Sequence, residues 1–399
     1  MKELNKARLN VGVGWFVLLF CIGLLDLPLR YYLKQDLHLS ATSIATFFAL
    51  ANIPIYVKPI IGFFMDILRL RGINKLLCMV WPLSFCCLFY IILGNSSTVE
   101  GAFASFFILT FFLGLLSITL GAMLVEYGKK LQNTGKLSSL RIGVIKCAVI
   151  FSGPIGGYLA TKDIRIATTI CAVLMALLIP IYMYLFREKE IVTKSNNILS
   201  DIKSQFQIVI KSRILLMTVG LVFIWKIAPG FLTPLWYYQT DTLHFTPSFI
   251  GFLTSLIAFG GIFGAIIYGY ACKYINLRTL LIFGIIIDTI ETIVYIGYNG
   301  QVSAIIITSL YGITSASCAL PLYDLAARAT PKKCESLGYA LILSVWNLAD
   351  ALSDVWGTTL YDDYQMGFKS IIWIHTIATL AILIFIPFIP KSVTQYTDK

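Results

Sequence analysis

Apolar runs of about 20 residues recur twelve times along these 399 residues, and each is long enough to cross roughly 30 Å of hydrocarbon as a helix. They fall near 9–27, 41–65, 76–94, 102–126, 137–160, 164–186, 213–238, 248–272, 279–297, 302–327, 335–361 and 370–389. A soluble domain has nowhere to hide them. Of all residues 58% are apolar and 13% charged, against about 45–50% and about 25% in ordinary soluble proteins, and the mean hydropathy is +0.82. A soluble enzyme, a disordered chain and a secreted disulfide scaffold are excluded. The chain reads as an all-α polytopic membrane protein with 12 transmembrane helices. Its first run carries Asp26 and precedes no small-residue cleavage pattern, so a retained helix is expected rather than a signal peptide.

The net charge of +11 comes from 31 Lys and Arg against 20 Asp and Glu. The basic residues alternate from loop to loop. The N-terminus, the even-numbered loops and the C-terminus hold 22 of them and the odd loops 5, while Lys58, Arg141, Lys146 and Lys226 lie inside spans. Cytoplasmic loops attract Lys and Arg, so both termini are expected to be cytoplasmic. That bias accounts for the charge without a nucleic-acid partner. The longest loop, 187–212, separates a six-helix half at 1–186 from another at 213–399; its amphipathic spacing fits an interfacial helix or a solvated linker helix equally. The nine cysteines form no C-x-x-C pair, and His38, His244 and His375 offer no ligand spacing. No metal or cofactor is expected.

An internal repeat organises the two halves. PLRYYLKQDLHLSATSI (28–44) aligns without a gap on PLWYYQTDTLHFTPSFI (234–250), 206 residues later. Each segment ends the first helix of its half at the outer face. Six helices, a basic central loop and six more, related by a parallel repeat, describe the major facilitator fold of two pseudo-symmetric bundles around a midplane cleft. Alternating access for a solute follows from that architecture, and the architecture does not choose the solute.

Ionisable side chains inside spans point to a pathway, because each costs about 2.5–3.5 kcal/mol at mid-bilayer on insertion scales. Lys226 follows Trp225 near the middle of the seventh span; it is placed to meet an anionic group of a solute or to pair internally with Asp26 or Asp350. Asn347, Asp350 and Asp354 share one face of the eleventh span. Trp225, Lys226, Trp346, Asn347 and Asp350 form the candidate solute-contacting set. Asp26, Asp350 and Asp354 are the candidate proton-coupling carboxylates, with two bland alternatives: an Asp26–Arg30 pair at i+4 and polar glue between helices. Glu126 beside Lys129 and Lys130, and Asp324 with Arg328 at i+4, read first as helix-end pairs and second as gate elements. Asp288 and Glu291 at i, i+3 in the ninth span have no account from sequence. Tyr31, Tyr32, Tyr237 and Tyr238 are expected in an interfacial aromatic belt.

The second span ends KPIIGFFMDILRLRG (58–72). Gly62 permits a close helix crossing, and Asp66 has Arg69 and Arg71 within pairing reach. The stretch resembles the G-x-x-x-D gate motif of major facilitators, in which the aspartate latches the cytoplasmic side. Three stretches narrow the resemblance: KPIIGFFMD (58–66), PGFLTPLWYYQTDTLHFTPSFIG (229–251) and PLYDLAARATPKKCESLGYALILSVWNLADALS (321–353). They are similar to the folate–biopterin transporter family. The resemblance implies proton-linked uptake of pterins, folates or related small aromatic solutes, by a chain expected to act as a monomer in a cell membrane.

Two other readings stay open. The same fold can carry a siderophore, a nucleoside or an amino-acid-like solute, and a membrane-embedded enzyme or transporter-like receptor is the remote third. No G-x-x-x-x-G-K-[ST] loop, H-E-x-x-H pair or nucleophile elbow is present, which disfavours ATP-driven transport and covalent catalysis. Asp66→Asn is expected to impair transport while leaving the protein in the membrane. Normal flux in that variant discards the latch.

Overall fold

The computed structural model describes residues 2–62, 75–130, 134–185, 207–331, 335–389 and 394, and among them no strand occurs. The helices are α1 (Lys2–Tyr31), α2 (Ala41–Ala51), α3 (Ile53–Tyr56), α4 (Lys75–Gly94), α5 (Val99–Lys130), α6 (Thr134–Leu159), α7 (Ile164–Leu185), α8 (Arg213–Lys226), α9 (Leu232–Tyr237), α10 (Pro247–Tyr274), α11 (Leu277–Val294), α12 (Gln301–Ala329), α13 (Glu335–Asp362) and α14 (Phe368–Ala381). Nine helical stretches among the described residues are long and apolar enough to span a bilayer. The three expected spans outside that set have visible causes. At 41–65, helix α2 stops at Ala51, ahead of Pro54. At 213–238, helix α8 stops at Lys226, ahead of Pro229 and Gly230. At 335–361, helix α13 runs unbroken for 28 residues but carries Asn347, Asp350 and Asp354. Most of the expected amphipathic loop, residues 186–206, lies outside the described residues.

The repeat folds as a repeat. After Tyr31 the chain widens into a π-turn at Tyr32–Asp36, and after Tyr237 into the same turn at Tyr238–Thr242. The Leu37 N–H donates to the Tyr32 carbonyl at 3.1 Å, and the Leu243 N–H to the Tyr238 carbonyl at 3.0 Å. One residue on, His38 and His244 take φ of 53° and 52°. Histidine is among the side chains that tolerate this left-handed region, so each ends its helix without a glycine. The tyrosines beside the turns depart from the expected belt. Tyr31, Tyr32 and Tyr237 are buried, the Tyr32 hydroxyl donates to the Ser96 carbonyl, and Tyr238 stacks on Phe368 at 4.7 Å. They pack the helix ends instead of facing lipid.

The chain separates into two compact units. One contains Met1–Leu39, Leu50–Asn196 and Pro247–Ser255; the other contains Ser40–Ala49, Asn197–Thr246 and Leu256–Lys399. In the first, the sequence SGPIGG (152–157) forms two close crossings. A side chain on Gly156 would meet the Leu24 carbonyl of α1 at 2.8 Å, and one on Gly153 would meet the Gly251 carbonyl of α10 at 2.6 Å. In the second, a side chain on Gly260 of α10 would meet the backbone of Gly312 on α12 at 3.0 Å, so the missing side chain is what permits the close approach.

The second unit also holds the break in the seventh span. Helix α8 ends where proline removes a donor, and α9 restarts at Leu232. A broken helix at membrane depth is stable only if its freed backbone groups find partners. Here α13 and α14 supply them. The Gly230 N–H donates to the Ser353 carbonyl at 2.7 Å, and the Ser353 hydroxyl donates to the Ala228 carbonyl. The Pro229 carbonyl lies 2.8 Å from Nδ1 of His375. Asp354 caps α9, accepting from the Thr233 N–H at 3.1 Å and the Thr233 hydroxyl at 2.6 Å. Gly357 allows the approach, because a Cβ there would fall on the Gly230 carbonyl. Gly357→Ala is therefore expected to cost about 1–3 kcal/mol by overpacking, read as a lowered thermal midpoint in detergent. Gly220→Ala on α8, where nothing lies within 4 Å, is the matched control with no comparable loss. Equal midpoints would contradict the docking of the break.

Candidate functional site

The residues flanking this break converge in the second unit. Lys226, the last residue of α8, places Nζ 3.3 Å from Oδ1 of Asp350 on α13. The same ammonium sits 4.6 Å from the centroid of the Trp346 ring, within cation–π range. Trp346 in turn stacks on Tyr323 of α12, with centroids 4.8 Å apart and the planes 6° from parallel. An ammonium, a carboxylate and a flat aromatic pair thus share one place. The Lys226 side chain is 28% exposed and that of Asp350 47%, so the pair is reachable rather than sealed in the core. Asn347 is partly buried one turn before Asp350.

Trp225 and Asp354 have their hydrogen-bond partners elsewhere. The Trp225 ring is buried and its Nε1 donates to Oδ2 of Asp288 on α11 at 2.9 Å. That bond gives Asp288, which the sequence left without an account, a definite partner. Asp354 lies one turn beyond Asp350, and its carboxylate is engaged by Thr233. Asp26 pairs with Arg30 at 3.3 Å, with the Asp26 side chain 52% exposed. The helix-end alternative is therefore what forms there.

Asp324 and Arg328 on α12 make a two-pronged pair. Nε and Nη2 of Arg328 donate to the two carboxylate oxygens at 2.8 Å each, and the Tyr268 hydroxyl of α10 donates to Oδ2 at 3.3 Å. Such a fork is among the stronger ionic geometries. Gly62, in the first unit, would at most touch Ile118 at 3.7 Å with a side chain. Asp66, Arg69 and Arg71 lie outside the described residues, as does the side chain of Glu126. The first unit gathers cations of its own: the Arg141 guanidinium lies 4.1 Å over the Trp15 ring, and Lys58 lies within electrostatic reach of Arg141.

His375, Ser353, Tyr323 and Tyr268 escape sequence reasoning. A lone histidine, serine or tyrosine in an apolar run carries no spacing signal, and each matters only through a partner on another helix. The available signal was the Pro229–Gly230 pair, which demands partners somewhere. Among the described residues no His, Cys, Asp and Glu group is placed to hold a metal. Among the described residues the cysteines form no disulfide; five are buried and Cys147 is exposed.

Solved structures place the fold. The nucleoside transporter NupG superposes with a TM-score of 0.76 at 13% identity, covering 96% of this chain and 99% of that one. A peptide transporter, POT, superposes with a TM-score of 0.74 at 13% identity, over 98% and 96% of the two chains. Among curated relatives, a "Folate-biopterin transporter" of Synechocystis sp. is 24% identical over 95% of this chain and 81% of its own length. "Folate transporter 2" of Plasmodium falciparum is 26% identical over 89% and 81%. These similarities describe an integral multi-pass membrane transporter rather than an enzyme. The model of the BT1 family matches residues 20–399, and the chain belongs to that family, in agreement with its folate–biopterin motifs.

Proposed function

We propose that this transporter imports a folate, a pterin or a related small aromatic solute, driven by protons, by alternating access of two six-helix halves with cytoplasmic termini in a cell membrane. The observation that carries the reading is the Lys226–Asp350 pair set against the Trp346–Tyr323 stack. A pteridine is flat and suits stacking on the partly exposed Tyr323 ring that the buried Trp346 backs. Its amino-pyrimidine edge donates hydrogen bonds that Asp350 or Asn347 accepts. A folate tail ends in carboxylates that the Lys226 ammonium attracts. The names of the curated relatives support the same solute class.

The pair also supplies a route to coupling. A solute carboxylate that takes Lys226 leaves Asp350 without its cation, and an isolated carboxylate at that depth is costly until it takes a proton. Solute and proton then travel together, and release restores the ion pair. In this scheme Asp354 positions the break rather than carrying the proton, and Asp26 stays with Arg30. Gly62, Asp66, Arg69, Arg71 and Glu126 serve as gating residues of the first unit, and Asp324 with Arg328 as those of the second.

Uptake of labelled folate into proteoliposomes with an inward proton gradient tests the reading, with biopterin, nucleosides and a siderophore as competitors. Folate and biopterin are expected to compete and the others to fail; competition by a nucleoside alone moves the assignment to that class. Lys226→Gln is expected to raise the folate KM about tenfold or more, the loss of one charge-assisted contact. Biopterin has no carboxylate, so its KM should change little. Equal effects on both solutes would remove Lys226 from the tail contact. Asp350→Asn is expected to keep solute counterflow and to lose acceleration by the gradient; retained acceleration would place coupling elsewhere.

A further inference from the structure

Glu291 takes no part in the site above. It lies on α11, one turn after Asp288, and is 8% exposed. Its Oε2 is buried with no hydrogen-bond partner. A buried carboxyl oxygen without a partner is expensive, which is why such atoms are rare and marked. The nearby groups are already engaged. Asp288 accepts from Trp225, and Lys226 pairs with Asp350. The Thr314 hydroxyl, which lies beside the Glu291 carboxyl, donates to the Leu310 carbonyl at 2.9 Å and leaves Oε2 without a partner. The ion pairs among the described residues leave Glu291 out.

The carboxyl sits in the wall of a cavity of about 270 Å³ between α11 and α12. Apart from Glu291, Thr314 and the Tyr311 ring, that wall is aliphatic. Ile290, Val294 and Leu310 at its rim are 57%, 39% and 49% exposed, and they lie inside stretches apolar enough to span the bilayer. Exposed aliphatic side chains at that depth meet lipid tails, so the cavity opens toward hydrocarbon. Its features match a ligand with one positive head and an apolar body, entering from the bilayer.

We propose that this cavity binds a lipophilic amine, with the ammonium on Glu291 Oε2 and the hydrocarbon chain along α11 and α12. The charge complement is local: one acidic oxygen lacks a hydrogen-bond partner, and Lys226, the cation within electrostatic reach, is paired with Asp350. The apolar wall accommodates the chain, but a chain arriving from lipid is already in hydrocarbon, so the ammonium on Glu291 rather than chain length sets the preference over the bilayer. The site is separate from the Lys226–Asp350 pair and does not depend on which solute is carried.

Photolabelling of the full chain in phosphatidylcholine vesicles at pH 7 tests the proposal. The probe is dodecylamine with a diazirine on its alkyl chain, and labelled peptides are read by mass spectrometry. Saturable labelling is expected on 287–314, displaced by excess dodecylamine and at least tenfold less well by dodecanol. Glu291→Gln should reduce the saturable labelling at least tenfold. Leu310→Trp keeps the carboxyl and fills the cavity, and it should reduce labelling similarly; it also decides the matter if the first variant does not fold. Equal displacement by dodecanol means apolar partition only and overturns the site. Unchanged labelling in folded Leu310→Trp protein overturns it as well.

Discussion

Everything near the site depends on how a membrane protein satisfies a backbone that has stopped being a helix. Between Lys226 and Leu232 the chain gives up its internal hydrogen bonds, because proline at 229 removes one donor and bends the path. In hydrocarbon, no water replaces them. Ser353, Asp354 and His375 do. Two of these three residues lie on α13, within one turn of Asp350. The contacts that hold the break therefore also fix the register of α13, and that register brings Asp350 to Lys226. Structural capping and site chemistry share one helix face. Asp350 and Asp354, four residues apart, illustrate the division: one carboxylate caps a helix and the other faces an ammonium.

The two repeat segments share a turn and diverge just before it. The π-turns and the left-handed histidines recur 206 residues apart with nearly the same dihedral angles. The repeat register sets Gly23 and Leu24 of α1 against Pro229 and Gly230. With no proline there, α1 stays continuous through Tyr31. Its Gly23 serves packing instead, since a side chain on it would strike the hydroxyl of Ser152. The same helix end occurs twice, and only the second copy follows a proline break.

Much of this was legible in the amino-acid order. Long apolar runs, the repeat and the charge of Lys226 inside a span speak without a partner, because the bilayer penalises each locally. The Lys226–Asp350 pairing stood among the internal readings for the same reason: a buried charge needs an opposite one. Other features depend on residues more than 100 positions apart. No local pattern reveals that Asp354 would cap α9 or that His375 would meet a proline carbonyl. The tyrosines misled because an aromatic pair at a helix end looks alike whether it faces lipid or packs inward. Asp288 found its partner in Trp225, a residue that sequence reasoning had placed toward the solute.

Hydrogen exchange across residues 227–236 of the folded, full-length protein bears on this account most directly. If α13 holds the break, the Gly230 and Thr233 amides should exchange on the order of a thousandfold more slowly than an open loop, as buried bonded amides do. Exchange of both amides at the rate of unprotected backbone, with the rest of the fold intact, would show that the break is free and that the arrangement described around it does not persist in solution.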